Sequence, residues 1–126
     1  MYIEIDFNSD EAIYIQLCNE IIRGIASSKF CEGEQLPSVR QLADTIGINM
    51  HTVNKAYSIL QQEGFVKIDR RRGAVIAIDI DKLRALAEAK DDMSVIIARA
   101  MCKNIGRNEM IDIVNSIYDE YLEADR

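Results

Sequence analysis

The sequence predicts a mostly α chain of the α+β class. An N-terminal winged helix-turn-helix occupies residues 1–78 and a short two-helix tail occupies residues 79–126. Three observations support this. Between Val39 and Leu60, two short apolar stripes at helical spacing are separated only by Gly47-Ile48-Asn49. Directly after them, two β-prone runs at 65–68 and 74–78 flank Asp69-Arg70-Arg71-Arg72-Gly73. From Lys82 onward two longer amphipathic patterns follow, broken at Asn104-Ile105-Gly106.

In the first stripe Val39, Leu42, Ala43 and Ile46 share one helix face, and in the second Val53, Ala56, Tyr57 and Leu60 do the same. Pro37 is a start signal with Ser38 as N-cap, Gly47 is a C-terminal glycine, and Asn49 caps the next helix. Two short helices joined through a glycine turn form a helix-turn-helix. With its apolar stripe against the core, the second helix turns His51, Asn54, Lys55, Ser58 and Gln62 outward at 100° per residue. The N-terminal part of such a helix enters the major groove of DNA, which makes His51, Thr52, Asn54 and Lys55 the groove-facing candidates. Asn54 suits adenine, and Lys55 suits guanine or a phosphate. Ser38 and the amides of its helix start suit a second phosphate, because helix N-termini carry partial positive charge.

The two β-prone runs make a hairpin with a basic tip, the wing. Arg70, Arg71 and Arg72 are expected to follow the DNA backbone or enter the minor groove, with Gly73 letting the hairpin turn.

Leu36-Pro37-Ser38-x-Arg40-x-Leu42-Ala43, Thr52-Val53-x-Lys55-Ala56-Tyr57-x-x-Leu60, Glu63-Gly64-Phe65-Val66 and Arg72-Gly73 together resemble the GntR family of bacterial transcription regulators. The wording Asn49-x-x-Thr52-Val53-x-Lys55-Ala56-Tyr57 and the short tail are similar to its YtrA-like branch. The resemblance runs from about residue 12 to residue 78 and implies that Arg40 is a DNA-contacting arginine. It further implies regulated genes that encode transporters, often of the ABC type, beside the regulator's own. The chain departs from the family at Met50 and His51, where arginine, proline or asparagine is frequent, and at Arg71, where a first wing glycine is common. Those departures bear on the target sequence, not on the fold. The expected DNA-contacting set is Ser38, Arg40, Asn49, His51, Thr52, Asn54, Lys55, Arg70, Arg71, Arg72 and Gly73.

Composition agrees with this reading. The chain of 126 residues is 48% hydrophobic and 29% charged, ordinary values for a globular protein. No apolar run approaches the ~18 residues of a membrane span, and the acidic start MYIEIDFNSDE lacks the basic-then-apolar order of a secretory signal. A cytoplasmic protein with no membrane partner is expected. The net charge of −6 is unevenly placed. Over residues 36–78, Arg40, Lys55, Lys67, Arg70, Arg71 and Arg72 oppose Asp44, Glu63 and Asp69 for a local +3, which leaves −9 on the remainder. Screening beyond about 8 Å lets a locally basic face work on an acidic body.

Nothing assembles into an enzyme. His51 is the only histidine, and no H-E-x-x-H, G-x-S-x-G or phosphate-cradling glycine loop occurs. Cys18, Cys31 and Cys102 have no C-x-x-C spacing and read as buried or half-buried small hydrophobes. No metal site and no cofactor are expected, and no motif names a small-molecule effector.

Ahead of the helix-turn-helix, residues 2–7 read as an edge strand or extended arm, and Asn8 with Glu11 as a capping pair. A first helix over residues 12–28 carries Ile13, Leu17, Ile21 and Ile25 on one stripe, and its Gly24 permits close packing. In the tail, Asp79 and Asp81 are natural caps for a helix from Lys82, and Asn108 for the last one. The tail stripes contain Met93, Ile97, Met101, Val114, Ile117, Tyr118 and Tyr121, more apolar surface than a small domain can cover. A homodimer paired through these residues is expected, and a drug-sized pocket within one protomer is not. The functional expectation is a homodimeric DNA-binding regulator, a repressor, on a palindromic operator. The alternative is a winged-helix protein-interaction module that has lost DNA binding.

Overall fold

The computed structural model describes residues 2–124. The chain divides into two compact units between Asp79 and Ile80.

The first unit is built on α1 (Ile13–Ala26), α2 (Val39–Ile46), α3 (Met50–Gln62), β1 (Val66–Asp69) and β2 (Gly73–Ile76). Helix α3 is its centre and packs against α1, α2 and β1. Leu17 and Ile21 of α1, Val53 and Leu60 of α3 and Ile76 of β2 are fully enclosed. The two apolar stripes behave as their spacing requires: Val53, Ala56, Tyr57 and Leu60 are buried, as are Leu42 and Ala43, while Val39 and Ile46 are half-buried on the same core.

The local signals of the helix-turn-helix are all used. Ser38 Oγ accepts from the Gln41 amide at 3.1 Å while Gln41 Oε1 accepts from the Ser38 amide at 3.0 Å, a capping box. Gly47 closes α2 at φ 81°, a left-handed conformation costly for any residue with a Cβ. Asn49 Oδ1 accepts from the His51 amide at 2.7 Å and starts α3. The Tyr57 hydroxyl donates to the Pro37 carbonyl at 2.8 Å, tying α3 to the entry of α2. Burial pushes that phenol's pKa up and keeps it a donor.

Helix α1 differs from expectation at both ends. Its N-cap is Ala12, with no side-chain cap bond. Asn8 and Glu11 do not cap it: their amides donate to Asp6 Oδ1 and Ser9 Oγ. Gln16 does the anchoring from inside the helix, accepting from the Asp6 amide and donating to the carbonyls of Asp6 and Glu11. Through it the segment before α1 is held as an arm, not a strand, with Ile3 and Ile5 half-buried on the core. Helix α1 ends at Ala26, and Ser28 is left-handed at φ 61°. Gly24 is buried, and a Cβ built there would run into the Phe30 ring.

Strands β1 and β2 pair antiparallel with Val66 opposite Ile76 and Asp69 opposite Gly73. The sequence held no sign of what covers the other edge of β2. Residues 33–36 run along it: Gly33 N donates to Ile76 O at 2.7 Å, Ile76 N to Glu34 O at 2.9 Å and Leu36 N to Ala74 O at 2.8 Å, with Gln35 bridged to Val75. The connection into the helix-turn-helix thus holds the wing.

The second unit is α4 (Lys82–Cys102) and α5 (Arg107–Ala124). Asp81 caps α4, its Oδ1 accepting from the Arg84 amide at 3.2 Å. Asn104 is left-handed at φ 62° and turns the chain. Helix α5 begins at Arg107, so Asn108 lies inside its first turn and is not the cap. Glu109 Oε1 instead accepts from the Gly106 amide at 3.1 Å. Around this turn a cleft of about 780 Å³ is lined by Met93, Ile97, Ala100 and Met101 on α4 and Met110, Ile111 and Val114 on α5. A concavity of drug-sized volume therefore exists within one protomer, contrary to expectation, because apolar side chains of both helices and the turn between them line one common space. No helix among the described residues is long and apolar enough to cross a membrane.

Candidate nucleic-acid interface

The first turn of α3 follows Gly47 and the Asn49 cap, and the helix is held by its back. Val53, Ala56, Tyr57 and Leu60 are sealed in the core. His51, Asn54, Lys55, Ser58 and Gln62 are exposed, as their direction on the helix requires, and Thr52 is half-buried. Asn49 is exposed, but its carboxamide oxygen is already used by the His51 amide. Ser38 Oγ accepts a backbone bond in the capping box, which leaves its hydroxyl proton to donate toward a phosphate. Arg40, in the first turn of α2, is exposed.

Two of the cations have structural neighbours. The Lys55 ammonium sits 3.9 Å from the centroid of the Tyr14 ring, so α1 contributes an aromatic face beneath a groove candidate. At the wing, Arg70, Arg71 and Arg72 form the tip and all are exposed. Arg72 Nη2 donates to the Gly33 carbonyl at 2.6 Å, which turns this side chain onto the loop that flanks β2.

The turn itself is set by Asp69. Its Oδ1 accepts from the Arg71 amide at 2.7 Å and the Arg72 amide at 3.2 Å, and these bonds hold its carboxyl below the usual aspartate range. Gly73 follows at φ 74°, where L side chains are strained.

Met50 is a residue of this surface that helical periodicity misses. Three residues before Val53 and seven before Tyr57, it falls on the core stripe by spacing. Yet it is 44% exposed and lines a shallow depression with Val39, Asn49, His51 and Asn54. Periodicity cannot tell that the core has ended one turn earlier. The partners of Tyr14 and Gly33 likewise had no sign in the sequence, since each is distant along the chain.

The tail residues expected to pair are on or near its surface. Met93, Ile97, Met101, Ile117 and Tyr118 are exposed, Met101 by 72% and Tyr118 by 66%, while Val114 and Tyr121 are half-buried. Of the cysteines only Cys18 is buried, its Sγ 3.5 Å from the Ala56 carbonyl; Cys31 and Cys102 are exposed, unlike the expectation for them. Cys31 lies in the loop that follows α1 and Cys102 is the last residue of α4, both outside the packed core of the first unit. Among the described residues no group of His, Cys, Asp and Glu could hold a metal ion.

Comparison with known proteins agrees with this geometry. Residues 11–76 match the family described as bacterial regulatory proteins, gntR family. The HTH-type transcriptional repressor YtrA of Bacillus subtilis (strain 168) is 39% identical over 75 residues, which are 60% of this chain and 58% of that protein. The solved structure of YtrA from Sulfolobus acidocaldarius, a GntR-family transcription factor, is 36% identical with a TM-score of 0.58, covering 94% of this chain and 97% of that one. A transcriptional antiterminator from Listeria monocytogenes EGD-e superposes with a TM-score of 0.85 at 26% identity, covering 96% of this chain and 92% of that one.

Proposed function

Since this chain belongs to the gntR family of bacterial regulatory proteins, in its YtrA-like branch, we propose that it is a homodimeric transcriptional repressor of a palindromic DNA operator. The observation that carries this reading is the attitude of α3. Its back is buried in the core while His51 and Asn54 stand exposed in its leading turn, next to the exposed helix start at Ser38 and Arg40. That presentation suits insertion into a major groove.

In this reading residues 1–78 bind DNA and residues 79–126 pair two chains. Asn54 and His51 meet base edges, with Thr52 and Lys55 beside them, and Asn49 supports them as the cap. Ser38 and Arg40 meet phosphates, as do Arg70 and Arg71 at the wing tip, while Gly73 provides the turn. Arg72 contributes charge from its seat on Gly33. The apolar surface of Met93, Ile97, Met101, Val114, Ile117, Tyr118 and Tyr121 supports pairing through the tail, because a soluble monomer rarely leaves such a patch bare. Two-fold pairing matches a palindrome with half-sites one or more helical turns apart. The repressor role follows the name of the Bacillus subtilis relative. Regulation of neighbouring transporter genes, of the ABC type, follows the branch resemblance, and the protein works in the cytoplasm without an enzymatic step.

The test is titration of the intact protein onto its own upstream DNA and onto random duplex, at several salt concentrations. Preferential binding to the upstream fragment with a steep salt slope is expected. Absence of retardation on every genomic fragment would replace this reading with a protein-interaction module.

A further inference from the structure

Helix α3 leads with a large apolar side chain that the core does not enclose. Met50 is 44% exposed at the helix's first position, where the core no longer reaches, and Val39, Asn49, His51 and Asn54 surround it about a shallow depression. A thioether is a weak acceptor and no donor, so Met50 is poorly suited to the hydrogen-bonding edges of bases or to phosphates. In the major groove the C5-methyl of thymine is the apolar group that a base edge presents.

Resting on the DNA-binding reading above, we propose that Met50 is a specificity-determining residue that reads a thymine methyl in each operator half-site. Its unbranched chain can adapt to the methyl's position. His51 and Asn54, its neighbours around the depression, supply the hydrogen bonds that Met50 lacks. Lys55 stands beside them, its ammonium 3.9 Å from the centroid of the Tyr14 ring. Val39, half-buried at the start of α2, closes the apolar side of the depression. The leading turn thus pairs an apolar probe with an amide that suits adenine, a combination fitted to A·T-containing steps.

The experiment selects an operator for the intact protein from a random duplex library, then replaces each thymine singly by deoxyuridine, which removes only the methyl. One thymine per half-site should lose about fourfold in affinity with the native protein, the worth of one buried methyl-sized group. Met50→Ala should bind the thymine and deoxyuridine duplexes alike, and Met50→Leu should keep the preference for thymine. An operator with no methyl-sensitive thymine, or a Met50→Ala protein that keeps the full sensitivity, overturns the role of Met50 while leaving DNA binding intact. A library that yields no enriched sequence overturns the DNA-binding reading itself, and this inference with it.

Discussion

Arg72 donates from Nη2 to the carbonyl oxygen of Gly33 at 2.6 Å, across 39 residues of chain. The bond joins the wing tip to the segment whose backbone lies along β2, so this arginine positions the wing as well as charging it. At Arg70 and Arg71 no comparable guanidinium bond is present among the described residues.

The three arginines should therefore separate on mutation. Arg70→Ala and Arg71→Ala should each flatten the log–log salt dependence of binding by about 0.9 for every phosphate that the arginine neutralises. Arg72→Ala should raise amide exchange at Gly33 and along β2, an effect the other two lack. Equal exchange in all three variants would count against the positioning role.

Asn54 should govern specificity. Asn54→Ala is expected to cost roughly 1–3 kcal/mol at the selected operator and to leave binding to random duplex nearly unchanged. Equal losses on both would assign Asn54 to the backbone.

Gly24 should tolerate no side chain. Alanine is the better helix former by about 1 kcal/mol, yet its Cβ would overlap the Phe30 ring. Overpacking costs about 1–3 kcal/mol, so Gly24→Ala should lower the urea midpoint. Adding Phe30→Leu should relieve part of that loss, and a raised midpoint for Gly24→Ala alone would show that the ring moves aside without cost.

Pairing should reside in the tail. The intact chain should sediment as a dimer at micromolar concentration and a chain ending at Ile80 as a monomer. A monomeric intact protein, or a shortened one that still dimerises, would remove residues 81–126 from the interface.

The cysteines should react in two classes. Burial, with Glu63 nearby, pushes the Cys18 thiol up to about 11. Its reactive thiolate is therefore scarce below that pH, whereas Cys31 and Cys102 are exposed. At about pH 8 a chromogenic disulfide reagent should titrate Cys31 and Cys102 in the native protein and Cys18 only on unfolding. Rapid reaction of all three would mean that α1 opens readily from α3.

What the sequence determined by itself is everything that depends on a residue's direction from its own helix or strand axis, or on a bond a few residues away. The stripes of α2 and α3, the Ser38 and Asn49 caps, the left-handed Gly47 and the hairpin around Asp69 and Gly73 are of this kind. Even here neighbouring residues could mislead: Asn8 and Asn108 have the chemistry of caps, but Gln16 and Glu109 supply the bonds at those helix starts. Tertiary structure alone decided where the core stops and which distant groups meet. It left Met50 exposed although its spacing places it on the buried stripe, laid residues 33–36 along β2, and set Lys55 on Tyr14. Periodicity records the angle of a side chain about its axis and contains nothing about how far the packed neighbours extend along that axis. The leading turn of α3, where the core no longer encloses Met50, is therefore legible in its polar residues and hidden in its apolar one.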